Sequence, residues 1–231
     1  MSIDIRTKND YNDGRYHLFS LKDPWSCITH LSFAAVSIGL APGLLYTAFK
    51  TGETENLIGM ILFMLGLVGL YSASGIYHGL DINEKVNKKL RTMDHTMIYM
   101  LIAGTYSPIC LCVLKNKTGL VLFVIIWTIA LIGIFQAIFF ITCPKWFSSL
   151  LYIMMGWACV FAMKDLVRLM SQGAFFWLFA GGVIYTLGGV IYAIKMPKFN
   201  ARHRNFGMHE IFHIFCICGS ICHYIMMYYI V

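Results

Sequence analysis

Two histidines one helical turn apart, His209 and His213 in the stretch HEIFH, form the densest group of potential metal ligands in the chain. The letters match the metalloprotease pattern H-E-x-x-H, in which both imidazoles hold zinc and the glutamate is the general base. A soluble protease places that helix beside a watery cleft, with a third ligand downstream. Only 18 residues follow His213 here, IFCICGSICHYIMMYYIV, and they carry no charge. A downstream third ligand could come only from His223 or a cysteine. The elements that carry HEIFH therefore decide its chemistry.

Those elements read as membrane spans. Of the 231 residues 58% are hydrophobic and 13% charged, about half the charged share of a soluble domain, and the mean hydropathy is +0.69. Stretches long enough to cross ~30 Å of hydrocarbon fall at about 26–49, 56–80, 93–114, 118–142, 146–163, 174–194 and 207–231. The fifth is the shortest, ending at Met163 before Lys164. The runs are continuously apolar rather than alternating, so helices are expected and a barrel is not. The expected fold class is an all-α integral membrane protein, a seven-transmembrane helix bundle. Residues 1–25 form a cytoplasmic tail and 26–231 a single transmembrane domain. No cleavable signal peptide is expected, because residues 1–23 are polar and mix bases with acids.

The net charge of +7 does not argue for nucleic acid, since the bases sit in short loops beside apolar spans. Thirteen of the 18 Lys and Arg fall in the N-terminal tail, 79–92, 141–147 and 195–206, and five in the alternate connections. By the positive-inside rule the N-terminus is inside and the C-terminus outside. Cys110, Cys112, Cys159, Cys216, Cys218 and Cys222 fall within spans and read as small buried hydrophobes, while Cys27 and Cys143 lie near the inner face, where thiols stay reduced.

With this topology the costly polar residues inside spans share a depth. His78 ends the second span at its inner side, with Ser74 one turn deeper; Asp94 opens the third span and His209 and His213 open the seventh, all from the inner side. Three neutral imidazoles suit Zn²⁺, with one position left for water. His209 and His213 supply two ligands and His78 the third. Asp94 is placed to hydrogen-bond a water on the metal, and Ser74 to support the site or contact substrate. The bland reading is a coincidence of depth.

Other polar residues carry less. His17, His95 and His203 read as interfacial or bonded to a neighbour, and His30 as an interfacial residue or an outer partner of the site. His223 lies about 15 Å along the helix from His213, out of reach of its metal. The Gly39–Gly43 G-x-x-x-G reads as close packing, Pro108 should kink or end the regular part of the third span, and Gln136 should bond between helices. Trp25, Trp146, Trp157 and Trp177 read as interface anchors or lipid-facing bulk.

SGIYH at 74–78, MDHTMIYMLIAGTYSP at 93–108 and HEIFHIFCICGSICHY at 209–224 resemble the three signature segments of the haemolysin III family. That family lies within the progestin and adipoQ receptor superfamily; alkaline ceramidases are more distant relatives with a similar site. The resemblance covers essentially the whole chain. It implies zinc on His78, His209 and His213, with Asp94 holding a zinc-bound water and Ser74 nearby. It gives Glu210 no role, which turns the reading away from a protease, as does the lack of any acidic residue after Glu210. One departure is local: relatives often carry a Glu and an Asn upstream of the histidine matching His30, whereas this chain has DPWSCITH.

Two functional classes follow. One is a zinc-dependent hydrolase acting on an amide or ester of a membrane lipid, as in the ceramidase-like relatives, with Asp94 as general base, or a membrane-homeostasis protein. The other is non-catalytic, a pore-forming haemolysin or a receptor or sensor with structural zinc. Membrane lipids are the expected partners and the plasma membrane the expected location, with the metal near the cytoplasmic side. No stretch of the sequence specifies an oligomeric state.

Overall fold

The computed structural model describes residues 21–139, 145–194 and 206–231. His17, Cys143, His203 and most of the basic 195–206 segment lie outside the described residues, as does the side chain of Trp146. The described residues are helical, with no strand among them: α1 Pro24–Lys50, α2 Thr54–Gly79, α3 Glu84–Pro108, α4 Lys117–Phe139, α5 Lys145–Trp157, α6 Met163–Leu169, α7 Gln172–Ile194 and α8 Met208–Ile230. Seven helical stretches are long and apolar enough to cross a membrane, the fifth combining part of α5 with α6 as Leu150–Leu169. The chain is a seven-span, all-helical membrane protein.

Neighbouring spans pack in chain order from α1 to α4, and α8 closes against both α1 and α7. Small residues set the closest approaches, as expected where lipid offers no hydrophobic driving force between helices. A Cβ on Gly66 of α2 would come within 2.7 Å of the Met100 carbonyl oxygen, and one on Gly104 of α3 within 2.6 Å of the Leu62 carbonyl oxygen. The α2–α3 crossing is thus backbone on backbone. The Gly39–Gly43 pair does not serve this purpose: Gly39 faces open space, and Gly43 meets only the Tyr228 hydroxyl.

Two spans differ from their hydropathy outlines. α3 begins at Glu84, nine residues before the apolar run, because Asn83 caps it by accepting from the Val86 amide; its polar first turns are invisible to a hydropathy count. Asp94 accordingly sits in the third turn of an existing helix rather than at its start. Pro108 does end the α-helical part of this span, which continues as a π-helical turn, Ile109–Val113.

The fifth span runs past Met163 to Leu169 through a 3₁₀ segment, Ala158–Ala162. Backbone groups released by such a break need partners in hydrocarbon. Tyr106 of α3 supplies them: its hydroxyl donates to the Gly156 carbonyl (3.1 Å) and accepts from the Cys159 amide (2.9 Å). Lys164 and Arg168 are therefore carried on the last turns of the span.

Candidate metal centre

α2 ends at Gly79 and α8 begins at Met208, and the two termini meet at one end of the bundle. The i, i+4 spacing puts His209 and His213 on one face of α8, opposite His78. One ligand nitrogen from each of the three lies within 4.8 Å of the other two. The Nε2 atoms of His78 and His209 are 3.4 Å apart. Tetrahedral zinc with Zn–N of about 2.0–2.1 Å separates two ligand nitrogens by about 3.3–3.4 Å, so that pair has the spacing of a shared ion. The donor set is all nitrogen, converges from two helices, and fits Zn²⁺.

His78 and His213 are buried and His209 half-buried. Each buried imidazole is held from outside the triad. His78 Nδ1 lies 3.0 Å from Asp23 Oδ2; an ionised carboxylate only accepts, so Nδ1 carries the hydrogen and Nε2 keeps its lone pair for the centre. Burial works to raise the Asp23 carboxyl, but the hydrogen bond and charge interaction with His78, together with Lys22 and His209, outweigh it and hold the group below the ordinary carboxylate value. His213 carries the ring of His30 flat against its face, with centroids 3.9 Å apart. The His30 ring in turn forms a T-shaped pair with Tyr71, centroids 4.9 Å apart.

Asp94 is buried, with its Oδ2 3.8 Å from His95 Nδ1. Its carboxylate is not one of the converging ligand atoms. Ser74 is buried one turn deeper than His78 on the same face of α2. Deeper still, the Ser220 hydroxyl joins Tyr71 (2.7 Å) and Tyr185 (2.6 Å), tying α2, α7 and α8 beneath the imidazoles.

The remaining polar residues are used elsewhere. His223 approaches the Leu178 carbonyl at 3.4 Å and lies outside the converging set. His95 Nδ1 lies 3.0 Å from the Arg91 carbonyl oxygen. Glu210, the letter that makes HEIFH look like a protease, spends both oxygens on structure: Oε2 accepts from the Gly207 amide (2.7 Å) at the start of α8, and Oε1 accepts from Ser26 Oγ (3.2 Å) on α1. It is not idle, as the resemblance implies, but a cap and an interhelical tie.

Sequence reasoning missed Asp23 and Ser26. Both lie in DPWSCITH, and their spacing to His30 (23, 26, 30) is that of one helix face, a signal that was present but had no target until α1 was known to lie beside α2 and α8.

A family model described as "Haemolysin-III related" matches residues 20–224. The chain is 33% identical over 204 residues to the hemolysin-3 homolog of Bacillus subtilis (strain 168), covering 88% of this chain and 92% of that protein. To hemolysin-3 of Bacillus cereus it is 34% identical over 195 residues, covering 84% and 85% of the two chains. A more distant match, 23% identical over 231 residues, is the adiponectin receptor protein of Drosophila melanogaster, covering 85% of this chain and 48% of that one.

Proposed function

The chain belongs to the haemolysin III-related family, and from that premise we propose that it is a zinc-dependent hydrolase acting on an amide or ester bond of a membrane lipid. The observation that carries the proposal is the all-nitrogen triad: three protein ligands converge on one point, the number typical of catalytic zinc sites, whereas structural sites take four.

His78, His209 and His213 would hold the ion, which when bound supplies Lewis acidity to a carbonyl oxygen. The protein's own groups do the rest. Asp94 accepts the proton of the attacking water as that water's oxygen bonds to the carbonyl carbon. The same carboxyl then returns the proton to the leaving nitrogen or oxygen as its bond to carbon breaks. Ser74, one turn from His78 on the same face of α2, would support the site or contact the lipid. The half-exposed side chain of His209 leaves an approach from the bundle's end.

By the distribution of Lys and Arg, this end is cytoplasmic, and the location is the plasma membrane. A resident membrane-homeostasis role is compatible with the same site. The relatives' name, hemolysin, gives the second reading, a cytolysin; the small number of polar residues in the spans speaks against a pore.

Lipidomics of cells with and without the protein, beside a His213→Ala variant, tests the proposal. A lipid class that falls with the parent chain and recovers with His213→Ala supports it. Identical lipid profiles in all three, with zinc retained by the parent, assign the metal to structure instead.

A further inference from the structure

Asp23 is the N-cap residue of α1, followed by Pro24 at the first helical position. An aspartate there normally turns its carboxylate onto the backbone amides of the first turn, which have no other partner. Asp23 does not: its side chain makes no capping bond. The carboxylate goes instead to His78 Nδ1 at 3.0 Å, on another helix and 55 residues away in sequence. The main chain reinforces the contact, because the Asp23 amide donates to the His78 carbonyl at 2.8 Å. A local preference is abandoned in favour of one imidazole, gripped from both its ring and its backbone.

The chemistry of that grip is specific. A histidine that binds a metal through one nitrogen is oriented, and made more basic, by a carboxylate on the other. Asp23 takes Nδ1, and the free Nε2 of His78 points to within 3.4 Å of His209 Nε2. Along the same face of α1, one turn on, Ser26 ties down Glu210 beside His209, and His30 lies on His213. The start of α1 thus contacts two of the three imidazoles, His78 and His213, and the residue next to the third, Glu210.

We infer that Asp23 is the positioning residue of the metal centre, holding His78 in the tautomer and rotation that present Nε2 to the ion. The inference rests on the reading of the triad as a zinc site. It makes the DPWSCITH segment part of the working site.

Competition of zinc against a chromophoric chelator, on the full chain in detergent, tests it with the parent, Asp23→Ala, Asp23→Asn and His78→Ala. Asp23→Ala should bind zinc about 10- to 100-fold more weakly. Asp23→Asn keeps an acceptor but not the charge, and should fall between Ala and the parent. In cobalt-substituted protein, the visible bands of Asp23→Ala should shift, because the His78 ring is no longer fixed; a purely structural clasp would leave them in place. An Asp23→Ala affinity within twofold of the parent, with His78→Ala clearly weakened, overturns the inference and leaves the metal reading intact. A parent chain that binds no zinc overturns both. If Asp23→Ala does not fold, Asp23→Asn decides: at least threefold weaker binding supports the role, and parental affinity removes it.

Discussion

The imidazole of His30 lies on that of His213 with centroids 3.9 Å apart and planes 12° from parallel. The nitrogen lone pairs of two rings stacked this way lie in nearly parallel planes that do not meet nearby, so they cannot both aim at one ion. His30 is a wall of the site, and His213 is the member of the pair that belongs to the candidate triad. The first prediction follows from that difference. His30→Ala should lower the thermal unfolding midpoint, since a stacked ring contributes about 1 kcal/mol beyond its buried area, and weaken zinc by less than tenfold. His30→Phe should restore most of the midpoint. If His30→Phe loses zinc as completely as His213→Ala does, His30 is a ligand and the wall description is wrong.

The triad predicts stoichiometry. Elemental analysis of purified protein should find about one zinc per chain, and His78→Ala or His209→Ala should lose most of it. His223→Ala should keep it, because that ring is engaged with the Leu178 carbonyl and the Tyr185 ring. Full metal retention by both triad variants would remove the site.

Glu210 separates the protease reading from the one adopted here. Gln keeps an oxygen able to accept from the Gly207 amide or from Ser26, so Glu210→Gln should retain zinc and activity. Glu210→Ala loses both contacts and should cost about 1–2 kcal/mol of stability, seen as a lower unfolding midpoint with zinc content unchanged. Activity lost in Glu210→Gln with zinc retained would restore the carboxylate as a catalytic base.

Gly104 faces the α2 backbone too closely for a side chain. Gly104→Ala should therefore destabilise the bundle by about 1–3 kcal/mol through overpacking, whereas Gly39→Ala, which meets open space, should be neutral. Denaturation of both variants in the same detergent checks the contrast; equal stability would mean the α2–α3 crossing yields more easily than its backbone contacts imply.

Orientation can be read with fusions. A reporter after Val231 should work only if it functions outside the cytoplasm, and one after residue 86 only if it functions inside. The reverse result would place the triad at the outer face and turn its substrate supply to the opposite leaflet.

Composition and the spacing of uncharged runs were enough to specify seven helical spans, because hydrocarbon thickness and the need to satisfy every backbone group admit few alternatives. Depth along each helix was legible for the same reason: a residue's distance from a loop sets its height, so Ser74, His78, Asp94, His209 and His213 could be levelled by counting. Rotation and neighbourhood were not legible. Helices with low polarity on every side carry little periodic signal, and only the packed bundle shows that α1 lies against both α2 and α8. That adjacency turned Asp23 from an N-cap into the partner of His78, gave Ser26 the carboxylate of Glu210, and laid His30 on His213. It also let Tyr106 satisfy the broken backbone of the fifth span, carrying that helix past the charged residues at which a hydropathy count stopped. Heights along the membrane normal come from a one-dimensional solvent constraint; lateral contacts depend on groups 53 to 184 residues apart in sequence, and those only the tertiary fold brings together.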